Sequence, residues 1–318
     1  APQPPRPGGR SMIALLLAEQ IGVLFLMMAG GFVLVKTGLV KSEESRTLSM
    51  ISIYLILPCV TIHAFQVEYS DEIRNGFLLG IFAAVAIHLI LFLLSWIFGR
   101  LLHLEAVEKA SLIYSNAGNL ILPLVTAVLG PEWEIYATSF LCVQMILIWT
   151  HGQSLMRGQA GINWKKILLN LNLIAIAVGL ILFFARIRLP ELLGDAVGSM
   201  ASTIGPVSMV MIGMLLGSVK WKSVFSGQRI YLIVALKMLV FPTAALVFLK
   251  LLASVAPVAD AQTILLISLL AVITPSASTI TQMAQLYNRN AAYASAINVF
   301  TTVVCIVTMP LMVLLYTL

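Results

Sequence analysis

The chain has 318 residues, of which 60% are hydrophobic and 10% are charged, and its mean hydropathy is +1.01. An ordinary soluble domain carries about 25% charged residues, so this composition excludes a soluble globular protein. The apolar residues form runs of about 20, the length that crosses roughly 30 Å of hydrocarbon. The net charge of +6 fits basic cytoplasmic loops in a lipid bilayer, and no nucleic-acid partner is expected.

The first eleven residues differ in composition from the remainder. Residues 1–11, APQPPRPGGRS, are rich in Pro, Gly and Arg and precede Met12. We expect them to be an expression remnant outside the fold, and no removed signal peptide is predicted after Met12. Cys59, Cys142 and Cys305 lie far apart in apolar runs, which favours packing over a disulfide or a metal site.

Ten apolar runs along the chain predict ten transmembrane helices. The expected spans are residues 13–35, 47–65, 76–99, 110–129, 135–156, 167–185, 196–219, 229–252, 262–285 and 292–316. Twelve of the 19 Lys and Arg residues fall in the loops after odd-numbered spans, and four fall in the loops on the other side. The positive-inside rule therefore predicts a multi-pass protein of the plasma (bacterial inner) membrane with both termini outside.

Ten spans divide into two halves of five, and an odd number of helices per half would give the second half the opposite orientation. The segment IYATS at 135–139 aligns without gaps with AYASA at 292–296, and each opens the last span of its half. The sequence thus predicts an all-α membrane protein made of two inverted five-helix repeats.

Helix-breaking and polar residues interrupt the fourth span, in SNAGNLILPL at 115–124, and the ninth, in ITPSASTITQ at 273–282. Proline removes a backbone donor, and the freed polar groups must be buried in protein or line a watered cavity. Half-helices that begin after a break direct N–H groups towards an anion. We expect both helices to break and form a substrate site, with simple proline kinks as the structural alternative. The predicted site residues are Asn116, Asn119, Pro123, Thr274, Pro275 and Ser276.

Several polar side chains elsewhere in the spans are further candidates. Lys237 lies about 12 Å inside span 8, where it would face an anionic substrate, act as an internal cation or snorkel towards the Arg229 end. His63, His88 and Glu19 are candidates for proton coupling, while a lone buried histidine is also explained by helix packing.

Gln144 in span 5 and Asn298 in span 10 are expected to face the break region, although interhelical hydrogen bonding explains them almost as well. No acidic residue lies beside either break, which weakens a carboxylate-based sodium site without excluding sodium. Coupling to H⁺, coupling to Na⁺ and uniport all remain open. No cofactor and no metal ligands are predicted.

At the two interrupted spans the sequence resembles the auxin efflux carrier family, which includes bacterial malonate and malate permeases, and more broadly the superfamily shared with bile-acid sodium symporters. SNAGNLILPL is similar to the family pattern N-x-G-N-x-x-x-P, and the stretch from TPSAS through YNRNAAYAS to TMPLM is also similar. The resemblance covers nearly all of residues 13–318. It implies an elevator-type carrier in which broken helices 4 and 9 cross.

The resemblance also implies that some helices form a scaffold and the others a transport domain, and that two copies form a homodimer. Scaffold helices 1–2 would occupy residues 12–75 and scaffold helices 6–7 residues 167–219. Transport-domain helices 3–5 would occupy residues 76–156 and helices 8–10 residues 229–318. The homodimer would form through the scaffold.

The predicted function is a secondary transporter of small organic anions, such as malonate or malate, with its site at the crossing of helices 4 and 9. A carrier of aromatic or indole weak acids and a substrate-binding membrane sensor on the same fold are the alternatives. An enzyme is not predicted, because the sequence lacks an HExxH pair, paired intramembrane aspartates and an Asp-rich diphosphate motif.

Overall fold

The computed structural model describes residues 9–158, 169–217 and 227–318, without the side chains of residues 9–21, Ala127 and Gln285. Residues 1–8 of the expected remnant and the side chain of Glu19 therefore lie outside the described part. Residues 9–11, which we expected outside the fold, are the first residues of α1. The described residues form α-helices with no β-strand among them. In chain order the α-helices are α1 Gly9–Lys36, α2 Ser45–Ile51, α3 Leu57–Ala64, α4 Asp71–Leu101, α5 Ala106–Ile113, α6 Ala117–Leu129, α7 Glu134–Leu147, α8 Gln153–Arg157, α9 Leu171–Phe184, α10 Glu191–Ser202, α11 Ile204–Gly217, α12 Gln228–Ala235, α13 Phe241–Val255, α14 Ala261–Ile273, α15 Ser278–Leu286 and α16 Ala291–Thr317.

Within the described residues, six helical segments are long and apolar enough to cross a membrane, and four apolar helices are shorter. The long segments are Ser42–Ala64, Asp71–Leu101, Pro131–Arg157, Glu191–Gly217, Gln228–Val255 and Ala291–Thr317. The shorter helices are Gly22–Lys36, Ala117–Thr126, Leu171–Phe184 and Ala261–Ile273. Each of the ten predicted spans overlaps one of these segments, while the number of crossings and the inverted repeat stay predictions.

Three of the long segments contain one turn of π-helix, at Ser52–Ile56, Ile148–Gly152 and Leu236–Val240. The first and third of these turns stand just before Pro58 and Pro242, which occupy the first turn of the next α-helix. Proline offers no N–H to the preceding turn, so the ladder of backbone hydrogen bonds changes its spacing there.

Helices α1 and α11 pack closely through glycines. A Cβ added to Gly213 would overlap the carbonyl oxygen of Met28, and one added to Gly31 would overlap that of Val210. Without side chains at these positions the two backbones come into direct contact, as in small-residue interfaces between membrane helices.

Helix α14 occupies the centre of the molecule. All its residues are buried except Gln262 and Thr263, and it packs against α4, α6, α7, α13 and α16. The outer faces of the surrounding helices expose large apolar side chains, such as Leu26 (75%) and Val307 (71%). An apolar exterior of this extent fits lipid as the surrounding solvent.

Candidate functional site

Two helices are interrupted at the same depth. The chain leaves helical geometry at residues 114–116, between α5 and α6, and at residues 274–277, between α14 and α15. Helix α5 has 8 residues and α15 has 9, so each break lies about 12–14 Å from the outer end of its short half-helix. The breaks expected in the fourth and ninth spans are both present.

The two breaks bind each other through their backbones. Asn116 N–H donates to the Pro275 carbonyl (2.8 Å) and Ala277 N–H donates to the Tyr114 carbonyl (3.1 Å). Ser115 lies between these bonds and pairs with Ser276 as an isolated antiparallel bridge. Each unwound segment thus supplies the hydrogen-bond partners that the other lacks. Residues 114–116 and 274–277 together form a polar crossover inside an apolar protein.

Side chains from α7 and α16 satisfy the remaining backbone groups of the bridge. Gln144 accepts from Ser115 N–H (3.1 Å) and donates to the Ser115 carbonyl (2.9 Å). Around Ser276, Thr301 accepts from the N–H (3.1 Å) and Asn298 donates to the carbonyl. Gln144 and Asn298 therefore contact the break region, and they do so through interhelical hydrogen bonds. The two explanations that the sequence offered for them do not exclude each other.

Thr301 is a residue that sequence reasoning missed, although a signal for it exists. The gap-free alignment of IYATS with AYASA, extended along the two helices, places Gln144 opposite Thr301, since each stands nine residues after the start of its segment. Both side chains accept the N–H of a bridge serine. Corresponding positions of α7 and α16 thus have the same role.

Pro123 does not cause the first break, although we expected this proline to interrupt the fourth span. Helix α6 begins at Ala117 and continues through Pro123 to Leu129. A proline inside a helix removes only the hydrogen bond to the carbonyl four residues earlier, here that of Asn119. Pro123 lies about 10 Å along the axis from the break and away from the bridge. Pro275, in contrast, is inside the second break.

The asparagines predicted for the site form a buried network that starts at the bridge. Asn119 donates to the side-chain oxygen of Asn116 (3.1 Å), and Ser208 of α11 donates to the Asn119 oxygen (3.3 Å). The second break differs: Thr274 Oγ1 donates to the Ala271 carbonyl (2.8 Å), and the buried Ser276 hydroxyl has no protein partner.

Two larger cavities lie beyond the crossover. The Arg46 cavity, of about 340 Å³, is lined by Arg46 and Ser49 of α2 and by Ser278 and Gln282 of α15. The Glu134 cavity, of about 370 Å³, is lined by Pro123 and Thr126 of α6 and by parts of α1, α3, α10 and α11. Because the bridge is antiparallel, α6 and α15 leave it in opposite directions, so the two cavities lie on opposite sides of the crossover.

Asn116 itself lines two small cavities at the crossover, of about 20 Å³ and 50 Å³. The larger of these also contains Asn119, Gln144 and Thr279. A buried water needs at least about 10–15 Å³ measured in this way, whereas pockets for organic ligands measure about 300–1,000 Å³. The crossover is thus closed to a carboxylate in this conformation, while each larger cavity has the volume for one.

Lys237 points neither to the Arg229 end of its helix nor into either large cavity. The residue is 1% exposed, and its ammonium donates to the Leu112 carbonyl (3.2 Å) and to Ser115 Oγ (2.8 Å). Snorkelling is therefore wrong for Lys237, whereas a direct contact with substrate stays a prediction.

The proton-coupling candidates occupy different environments. His63 lines the Glu134 cavity together with Glu134. His88 is 1% exposed, bonds through Nδ1 to the Ala84 carbonyl (2.7 Å) and lies tilted against Phe140, while its Nε2 is buried without a partner among the described residues. Glu134, the first residue of α7, is buried, and Thr126 donates to its carboxylate (2.5 Å).

The described residues contain no cluster of three or more His, Cys, Asp or Glu side chains able to hold a metal ion. The crossover instead offers backbone N–H groups, amides and hydroxyls.

The sequence matches the family model described as "Membrane transport protein" twice, over residues 16–163 and over residues 156–313. No curated protein matches the chain.

Proposed function

Because the chain belongs to the membrane transport protein family, which corresponds to the auxin efflux carriers, we propose that it is a secondary transporter of small organic anions. The observation that carries the proposal is the bridge between two broken helices, with ligand-sized cavities on its opposite sides. Broken helices at a midplane site, reached in turn from the two sides, are the arrangement by which secondary carriers work.

The substrate class follows from the polarity of the crossover. Helices α6 and α15 both begin there, and the N-terminus of a helix favours negative charge. Asn116 and Asn119 add amide donors, while the cavity beside α15 is lined by one base, Arg46, and one acid, Glu43. We propose a short carboxylate such as malonate or malate as substrate, and an aromatic or indole weak acid as the alternative.

The closed crossover requires movement for transport. Its small cavities cannot hold a dicarboxylate, so loading needs the helices around the bridge to shift. We propose an elevator movement of the transport helices α4–α8 and α12–α16 against the scaffold helices α1–α3 and α9–α11. The Arg46 cavity and the Glu134 cavity both have linings from each group, which supports this division.

The remaining architecture belongs to the same proposal. All ten apolar segments would cross the plasma membrane as two inverted repeats, with both termini outside and two copies joined through their scaffolds. The equivalent roles of Gln144 and Thr301 at the two bridge serines support the repeat.

The test is charge movement in proteoliposomes on a solid-supported membrane. The substrate panel contains malonate, malate, other short carboxylates and an indole carboxylate at matched sodium and pH. We expect a saturable current for one class and its loss in Asn119→Ala, because that change removes the amide joined to Asn116 and Ser208.

Asn75→Ala, at an exposed asparagine, is the matched control and should keep the wild-type current. Unchanged affinity in folded Asn119→Ala would contradict the site assignment. Substrate binding without current or counterflow would instead support a sensor.

A further inference from the structure

The ammonium of Lys237 joins the ends of two half-helices. It donates to the carbonyl of Leu112, in the last turn of α5, and to the hydroxyl of Ser115. Ser115 Oγ in turn donates to the carbonyl of Val272 (3.1 Å), in the last turn of α14. Lys237 therefore reaches the C-terminal end of α5 directly and that of α14 through one hydroxyl.

The C-terminal end of a helix carries unpaired carbonyls and a partial negative charge, so it favours a cation. Two such ends meet at the crossover because both helices stop there. In carriers with broken helices, half-helix C-termini and unwound carbonyls are the groups that coordinate a coupling cation.

Lys237 has no acidic partner that would account for its burial. The ion pairs among the described residues are Arg74 with Asp71 and Arg229 with Glu108, and neither includes it. Among the described residues, the titratable side chains Cys305 and His88 lie near it. Cys305 also directs its thiol at the carbonyl of Ile273, the last residue of α14 (3.8 Å).

We propose that the Lys237 ammonium is the resident cation of the crossover. It occupies the position in which the two half-helix ends would otherwise bind Na⁺, and it leaves the transport cycle independent of sodium. The independence of transport from sodium rests on the proposed function, whereas the occupation of the cation position does not.

Thermal unfolding of the purified full-length protein in NaCl, KCl or choline chloride at equal ionic strength tests this assignment. We expect the wild-type Tm to be the same in all three salts. Lys237→Ala removes the ammonium and leaves space, so its Tm should be lower in choline and rise by several degrees, saturably, in NaCl. Lys237→Met fills that space without charge and should not respond to sodium.

Lys250→Ala is the matched control, since Lys250 is an exposed lysine whose ammonium donates to the Leu315 carbonyl (3.1 Å). Its Tm should not depend on the cation. A sodium-specific rise in the wild-type Tm would overturn the proposal, and so would a folded Lys237→Ala without a sodium response. If Lys237→Ala does not fold, Lys237→Ser, which also removes the ammonium, replaces it in the same three salts with the same expected sodium response.

A second measurement separates the two proposals. Once the anion panel has identified a substrate, its current should be equal in sodium and in choline, and a sodium requirement would overturn the resident-cation assignment. If no substrate gives either current or counterflow, the proposed function fails, while the thermal result still decides the role of Lys237.

Discussion

At the scale of single residues, the buried carboxylate of Glu108 joins three helices. It accepts from Arg229 of α12 (2.5 and 2.7 Å) and from Tyr293 of α16 (3.0 Å). Arg229 also donates to the carbonyls of Leu102 and His103. Glu108→Gln replaces an acceptor with a donor that faces other donors. We expect it to lower the free energy of unfolding by about 1.5–3 kcal/mol, measured by chemical denaturation in detergent.

The matched control is Glu191→Gln, because Glu191 is an exposed acid in the first turn of α10. It should change the free energy of unfolding by no more than about 1 kcal/mol, the size of the interaction between an exposed acid and the N-terminal end of a helix. Equal stability of Glu108→Gln and the wild type would show that the cluster contributes no net stability.

At the scale of elements, the contact between α1 and α11 depends on the absence of side chains. The segment GMLLG at 213–217 has the small-xxx-small spacing of helix interfaces, and the structure uses it within one chain. Gly213→Ala would force the new Cβ against the carbonyl of Met28. Overpacking of this kind costs about 1–3 kcal/mol, so we expect a lower Tm in a thermal unfolding measurement.

Gly30→Ala provides the comparison within α1, since a Cβ there meets no atom within 4 Å. Alanine has the higher helix propensity, so this variant should show no loss of stability. If both variants had the wild-type Tm, the close approach of α1 and α11 would not describe the protein in solution.

At the scale of the whole molecule, the crossover separates two cavities that lie on its opposite sides. Ser202 lines the Glu134 cavity and Thr281 lines the Arg46 cavity. In a variant without Cys59, Cys142 and Cys305, we expect Ser202→Cys to react with an impermeant thiol reagent added outside. Thr281→Cys should react with the same reagent only from the cytoplasmic side, as measured in oriented vesicles.

Saturating substrate should change both labelling rates if the helices around the bridge move. Labelling of both cysteines from one side would contradict the opposed cavities. The reverse pattern would keep the cavities and contradict the predicted orientation of the termini.

The helix breaks could be predicted from sequence because their causes are local. Pro275 lacks a backbone donor, and clustered asparagines and hydroxyls cannot face lipid, whatever lies around them. The position of the break in the fourth span is less clear from the sequence. Pro123 carries the stronger local signal, yet α6 continues through it, since one missing hydrogen bond bends a helix without ending it.

The partners of these groups could not be predicted from sequence, because they are distant along the chain. Ser115 pairs with Ser276, and Lys237 turns towards Leu112 rather than towards the lipid surface. The buried acid Glu134 of α7 likewise finds its donor in Thr126 of α6.

The sequence by itself determined the membrane class, the apolar segments and the two interruptions, because run length and backbone chemistry are properties of short stretches of chain. The tertiary structure decided that the interruptions bridge each other, that Lys237 joins two half-helix ends, and that only small cavities lie at the crossover between two larger ones. Those features depend on which buried donor meets which acceptor. That choice is made by the packing of all the helices together, since every polar group in an apolar interior must find its partner inside the protein.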